Sequence, residues 1–213
     1  MRGVIVLWAV MLAGCTSLYY AANEKLGREK RDILQSRVEA GRKDQKEAKE
    51  QFENALEAFQ AATGFQGGKL EDTYKKLNGE LERSESRAKD VSESIASIDQ
   101  VARDLFREWD KEISSMRNRD LRLKSSQIRQ ETERRYRVLL RKMRESERRM
   151  QPVLGAYRDQ VLFLKHNLNA KAITSLKNNA AKIDSDVAVL VKDIEASIAE
   201  SDAFIQALTQ SPT

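Results

Sequence analysis

The chain has 213 residues, of which 33% are charged and 6% aromatic, with nine glycines, two prolines and one cysteine. A single cysteine excludes an internal disulfide, and a composition so poor in aromatics, Pro and Gly points away from strands and towards long helices. The formal charge of +5 is regional: residues 117–149 hold thirteen Arg or Lys against five acids, whereas the rest of the chain beyond residue 14 has four more acids than bases.

Met1-Arg2 forms a minimal positive start, followed by an apolar run from Gly3 to Leu12 that is short for a mature membrane span. The run ends in Leu12-Ala13-Gly14-Cys15, which resembles the lipobox of bacterial lipoproteins at all four positions. The resemblance implies that residues 1–14 are a signal peptide, that Leu12, Ala13 and Gly14 are read by the lipoprotein peptidase, and that Cys15 carries diacylglyceryl and acyl lipid. Several chains on Cys15, at about 0.8 kcal/mol per buried methylene, hold a protein at a bilayer essentially permanently. Thr16 rather than Asp after the cysteine points, by the sorting rule of such lipoproteins, to the periplasmic face of the outer membrane. The spacer after Cys15 is short, since Ser17 can already cap a helix, and Tyr19 and Tyr20 suit the headgroup level.

The first stripe runs through Leu34, Val38, Ala48, Phe52, Ala55, Phe59 and Ala62, with Gly41 and Gln45 interrupting it, and stops at Gly64. Gly64 is expected to terminate the helix in the left-handed conformation, with Phe65 folding back onto Phe59. The next segment, Leu70 to Met116, keeps a heptad seam through Leu70, Tyr74, Leu77, Leu81, Ser84, Ala88, Val91, Ile95, Ile98, Ala102, Leu105 and Trp109, with Met116 continuing it after a polar slip at Glu112. A break is expected near 117–120, with Asp120 capping a third helix that Pro152 kinks. Asn169 suits the N-cap of a fourth, with Leu168 and Ile173 as its hydrophobic staple. Its stripe passes through Ile173, Leu176, Ala180, Ile183, Val187, Leu190, Ile194, Phe204 and Leu208. The reading is all-α: an elongated antiparallel bundle, four long helices with coiled-coil packing, in one domain spanning 15–210, with residues 211–213 frayed. A helix running unbroken through the basic segment would project far beyond its neighbours.

No constellation for catalysis stands out. Gly64 to Lys69 has the wrong spacing for a phosphate loop and lacks its Ser or Thr, and Asp184 and Asp186 lack the glycine and distal glutamate of a calcium loop. His166, the sole histidine, reads as a helix-end residue. The expectation is therefore no enzyme, no metal and no cofactor beyond the lipid on Cys15.

The basic segment offers the candidate binding surface. Part of it reads as a soluble face, with Glu145 beside Arg148 and Arg149. An up-down-up-down bundle brings its second turn back to the anchored end, so Arg117, Arg119, Arg122 and Lys124 are expected to face anionic lipid headgroups or, as the other possible partner, an acidic envelope protein. Nucleic acid is not expected, because of the export signal and because Tyr136 is the one aromatic in the segment.

The stretches Tyr19 to Lys25, Gly64 to Leu70 and Phe163 to Ala170, with the lipobox, resemble an uncharacterised family of proteobacterial lipoproteins known as a domain of unknown function. The resemblance implies a helical, coiled-coil envelope protein and supplies no activity or cofactor. The leading function is a membrane-anchored, non-enzymatic scaffold or spacer. The alternative is a bundle that opens around lipid or another apolar ligand, which small seam residues such as Ser84, Ala88, Ser197 and Ser201 would suit.

Overall fold

The computed structural model describes residues 30–64, 67 and 69–210. Four helices follow in order: α1 (Lys30–Thr63), α2 (Leu70–Ser115), α3 (Arg119–His166) and α4 (Ala170–Gln210), with no strand among the described residues. The 48 residues of α3 make a rod about 72 Å long.

Each helix buries the stripe that its sequence spaces at threes and fours. Leu34, Phe52 and Phe59 of α1, Leu77 and Ile98 of α2, Leu139, Met143, Met150 and Leu164 of α3, and Leu176, Ile183 and Phe204 of α4 are almost completely buried. Each such side chain contributes roughly 1.5–3 kcal/mol, against about 0.2–1 kcal/mol for a solvent-exposed ion pair. The apolar seams therefore dominate the stability, and the surface charges adjust it.

Neighbours in sequence are neighbours in space, and α1 against α4 closes the ring. Ion pairs fix the antiparallel registers: Lys30 with Glu108 and Arg87 with Glu47 between α1 and α2, and Arg42 with Asp202 and Lys49 with Glu195 between α1 and α4. Across the diagonal α1 and α3 run parallel. Gln45 Nε2 donates to Ser146 Oγ at 3.2 Å, and the Phe59 and Tyr157 rings lie 5.3 Å apart at a tilt of 58°. Gly41 and Gln45, the interruptions in the first stripe, are buried within it.

The helix ends depart from expectation in detail. Gly64 does not adopt a left-handed conformation; its N–H closes a tight turn on the Ala61 carbonyl, and among the described residues of this loop a positive φ is found at Gly67, at 152°. Glycine takes such a φ without a Cβ penalty, and it is used three residues later than expected. Phe65 lies outside the described residues. The second break occurs where expected, but the cap is Asn118, whose Oδ1 accepts from Asp120 N at 2.9 Å and Leu121 N at 3.1 Å. Asp120 instead stands in the first turn, where its charge suits the helix N-terminus. Asn169 caps α4 through Lys171 N, but Leu168 remains 47% exposed, so the expected staple leaves its first member in solvent. Pro152 sits within α3, which continues on both sides of it.

Candidate functional site

The start of α1, the end of α2, the start of α3 and the end of α4 share one end of the bundle. Lys30 pairs with Glu108, and Arg31 donates to the carbonyl of Leu208, so these residues are level. Beyond that level α2 continues to Ser115 and α3 begins at Arg119, so the α2–α3 hairpin projects about 10–15 Å past the first described residue of α1.

Two contacts hold this hairpin together. Trp109 Nε1 donates to Ser125 Oγ at 3.0 Å, and Arg129, with its guanidinium 5.2 Å from the Phe106 ring centre, bonds Asp110 at 2.8 Å and also reaches Glu133. At its tip Arg117, Arg119, Arg122 and Lys124 are all exposed, and none forms an ion pair among the described residues. Between them Leu121 and Leu123 are 60% and 54% exposed. The two leucines are an addition to the sequence reading, which picked out the four cations alone. The tip thus combines uncompensated positive charge with apolar side chains held in water.

Much of the remaining basic segment is paired within the fold, while Arg134, Arg141 and Arg148 are exposed and form no ion pair among the described residues. Arg135 and Arg137 bond Glu131 and Glu133, Arg144 reaches Asp99, and Arg149 bonds Asp193 of α4 at 3.0 Å. Glu145 pairs with Lys142 and not with Arg148 or Arg149, which turn towards other helices or solvent.

A family described as "Protein of unknown function (DUF2959)" matches residues 19–208. The chain belongs to this family. No curated protein and no solved structure matches it. The DUF2959 match covers α1 to α3 and α4 as far as Leu208, and begins four residues after Cys15. Leu12, Ala13, Gly14 and Cys15, with Tyr19 and Tyr20, lie outside the described residues.

A second polar cluster of this DUF2959 chain was not anticipated. Asp99 of α2 is buried, accepts from Tyr136 Oη at 2.7 Å and from Arg144 at 2.8 Å, and also pairs with Arg103. Burial opposes its charge, but the hydrogen bonds from Arg103 and Tyr136 and the two guanidinium charges outweigh it and hold the carboxyl below its ordinary value. Burial, then Asp99, push the Tyr136 hydroxyl well above its ordinary range. All polar groups of the cluster answer one another and none opens on a cavity, so it joins α2 to α3. An acid next to seam residue Ile98 with Arg four positions on looks, in sequence, like any solvated pair.

The surface grooves do not gather convergent chemistry. One between α3 and α4, of about 310 Å³, has Phe204 and Leu208 along it, while its charged residues Glu131 and Arg135 are bonded to each other. Among the described residues no group of three His, Asp or Glu side chains is placed to hold a metal ion. Asp184 accepts from Gln60 and Asp186 pairs with Lys182. No helix among the described residues is long and apolar enough to cross a membrane.

Proposed function

We propose that the protein is an envelope lipoprotein, tethered through lipid on Cys15 at the periplasmic face of the outer membrane, whose bundle is a non-enzymatic scaffold or spacer. The observation that carries the reading is the α2–α3 tip: four unpaired cations around two solvent-exposed leucines, at the end of the bundle where α1 begins. Fourteen residues separate Cys15 from Lys30, enough to cover about 21 Å at helical rise. An anchor at Cys15 therefore reaches the plane of a tip that projects 10–15 Å beyond Lys30 by the same measure. Cations at the phosphates and leucines at the acyl boundary then pin the bundle's orientation on the bilayer. The buried seam favours a spacer over a lipid carrier: Ser84, Ser197 and Ser201 are no more than 2% exposed, so the small side chains bring helices close instead of leaving a void.

Two measurements test the reading. Cys15→Ser is expected to abolish incorporation of labelled fatty acid and to leave the leader uncleaved, so that the chain migrates as the larger precursor; unchanged lipid labelling and processing would overturn the anchor. A form lacking residues 1–15 is expected to cosediment with phosphatidylglycerol vesicles and not with phosphatidylcholine vesicles. Changing Arg117, Arg119, Arg122 and Lys124 to Gln should weaken that binding by tenfold or more, since each cation near an anionic surface contributes about 1 kcal/mol. Equal binding to both lipids sinks the role of the tip.

A further inference from the structure

Exposed large apolar side chains are not scattered over the molecule. Among the described residues there are six: Leu121 and Leu123 at the tip already described, Leu162, Phe163 and Leu168 at the opposite end, and Val189 on the shaft. Leu162 and Phe163 (46% and 40% exposed) occupy the last turns of α3, and Leu168 (47%) lies in the turn to α4. Apart from Val189, exposure of large apolar side chains among the described residues is thus confined to the two ends of the bundle.

Charge at this end matches that of the first tip. Residues 160–181 contain Lys165, Lys171 and Lys177 and no acid, and none of the three forms an ion pair among the described residues. The α1–α2 loop beside it, residues 60–77, adds three lysines against two acids. Among the described residues no carboxylate pairs with the lysines that flank the α3–α4 turn. Exposed apolar side chains and unpaired ammonium groups at one end of the bundle suit a bilayer interface, where the former enter the acyl boundary and the latter meet phosphates.

We propose that the α3–α4 turn is a second lipid-docking surface, by which the bundle touches an anionic bilayer distinct from the one that holds its N-terminal end. The inference rests on the anchored-lipoprotein reading for which end is held. The length of α3 sets the separation of the two docking planes at about 70 Å. The molecule is then a strut between two lipid surfaces.

The test reconstitutes the full chain into phosphatidylcholine vesicles and adds fluorescent acceptor vesicles, made either of phosphatidylcholine or of equal parts phosphatidylcholine and phosphatidylglycerol. Donor vesicles carrying the protein should capture the anionic acceptors and not the neutral ones. Replacing Leu162, Phe163 and Leu168 by Ser, or Lys165, Lys171 and Lys177 by Gln, should cut capture about tenfold, with flotation on the donor vesicles unchanged. All these side chains are exposed, and far-UV circular dichroism should confirm an intact helical fold. Equal capture by wild type and variants, or no capture at all by floated protein, overturns the second surface. Failure to float with the donors instead speaks against the anchor. A second arm needs no anchor: the form lacking residues 1–15, with Arg117, Arg119, Arg122 and Lys124 changed to Gln, is cosedimented with phosphatidylglycerol vesicles. Its residual binding should fall about tenfold when the three lysines are also replaced, and unchanged binding overturns the proposal.

Discussion

Asp99 is the residue on which burial and charge compete most directly. Its carboxylate is desolvated, yet two guanidinium groups and the Tyr136 hydroxyl favour the ionised form, and the folded carboxyl is held below its ordinary value. A depressed folded value means that the unfolded chain takes up its proton first on acidification. The contribution of Asp99 is therefore complete above the ordinary aspartate range, near pH 3.9, and is lost as pH falls through the lower folded value. Asp99→Asn is expected to cost about 2 kcal/mol at neutral pH, the scale of hydrogen bonds to a charged group, and to flatten the acid limb of the stability profile. Urea denaturation at a series of pH values reads both; an Asp99→Asn protein with the wild-type acid limb refutes the assignment. Its burial was not legible in sequence, because Tyr136 and Arg144, which meet it from α3, stand 37 and 45 positions away.

At the level of elements, periodicity revealed where each helix lies, and the loop residues revealed where the chain turns. The identity of the cap at the second turn was less legible: Asn118 and Asp120 both fit by type, and the choice depended on how far α2 could continue before its carbonyls ran out of partners. Met116 N–H closes on Ile113 O, which ends α2 early enough for Asn118 to cap α3. Asn118→Ala is expected to destabilise the start of α3 by about 1 kcal/mol. The effect belongs to the tip and not to the core, so faster hydrogen exchange at Asp120 and Leu121 is the measurement, with the melting temperature nearly unmoved. Unchanged exchange at those two amides would remove Asn118 from its role.

For the whole molecule, Gly41 marks a point where α1 comes close to two other helices. A Cβ there would stand 2.8 Å from Ile98 Cδ1 of α2 and 3.2 Å from Met143 Cε of α3. Both atoms are ends of side chains that can shift, and alanine is about 1 kcal/mol the better helix former, so Gly41→Ala should lie within about 1 kcal/mol of wild type. Gly41→Leu must displace packed core from two helices and is expected to cost about 3 kcal/mol by chemical denaturation; a neutral Gly41→Leu would mean that the three helices are not in close contact there. Chain order alone determined the helical class, the number of helices and the cluster of four cations at one turn, because helical period and turn chemistry act over a few residues and are written there. It showed neither Gly41 as a contact nor Asp99 as a buried charge, and it did not reveal that the exposed leucines gather at both ends. Those facts depend on which faces meet once four helices close a ring, and a helix's own pattern does not specify the register of its neighbours.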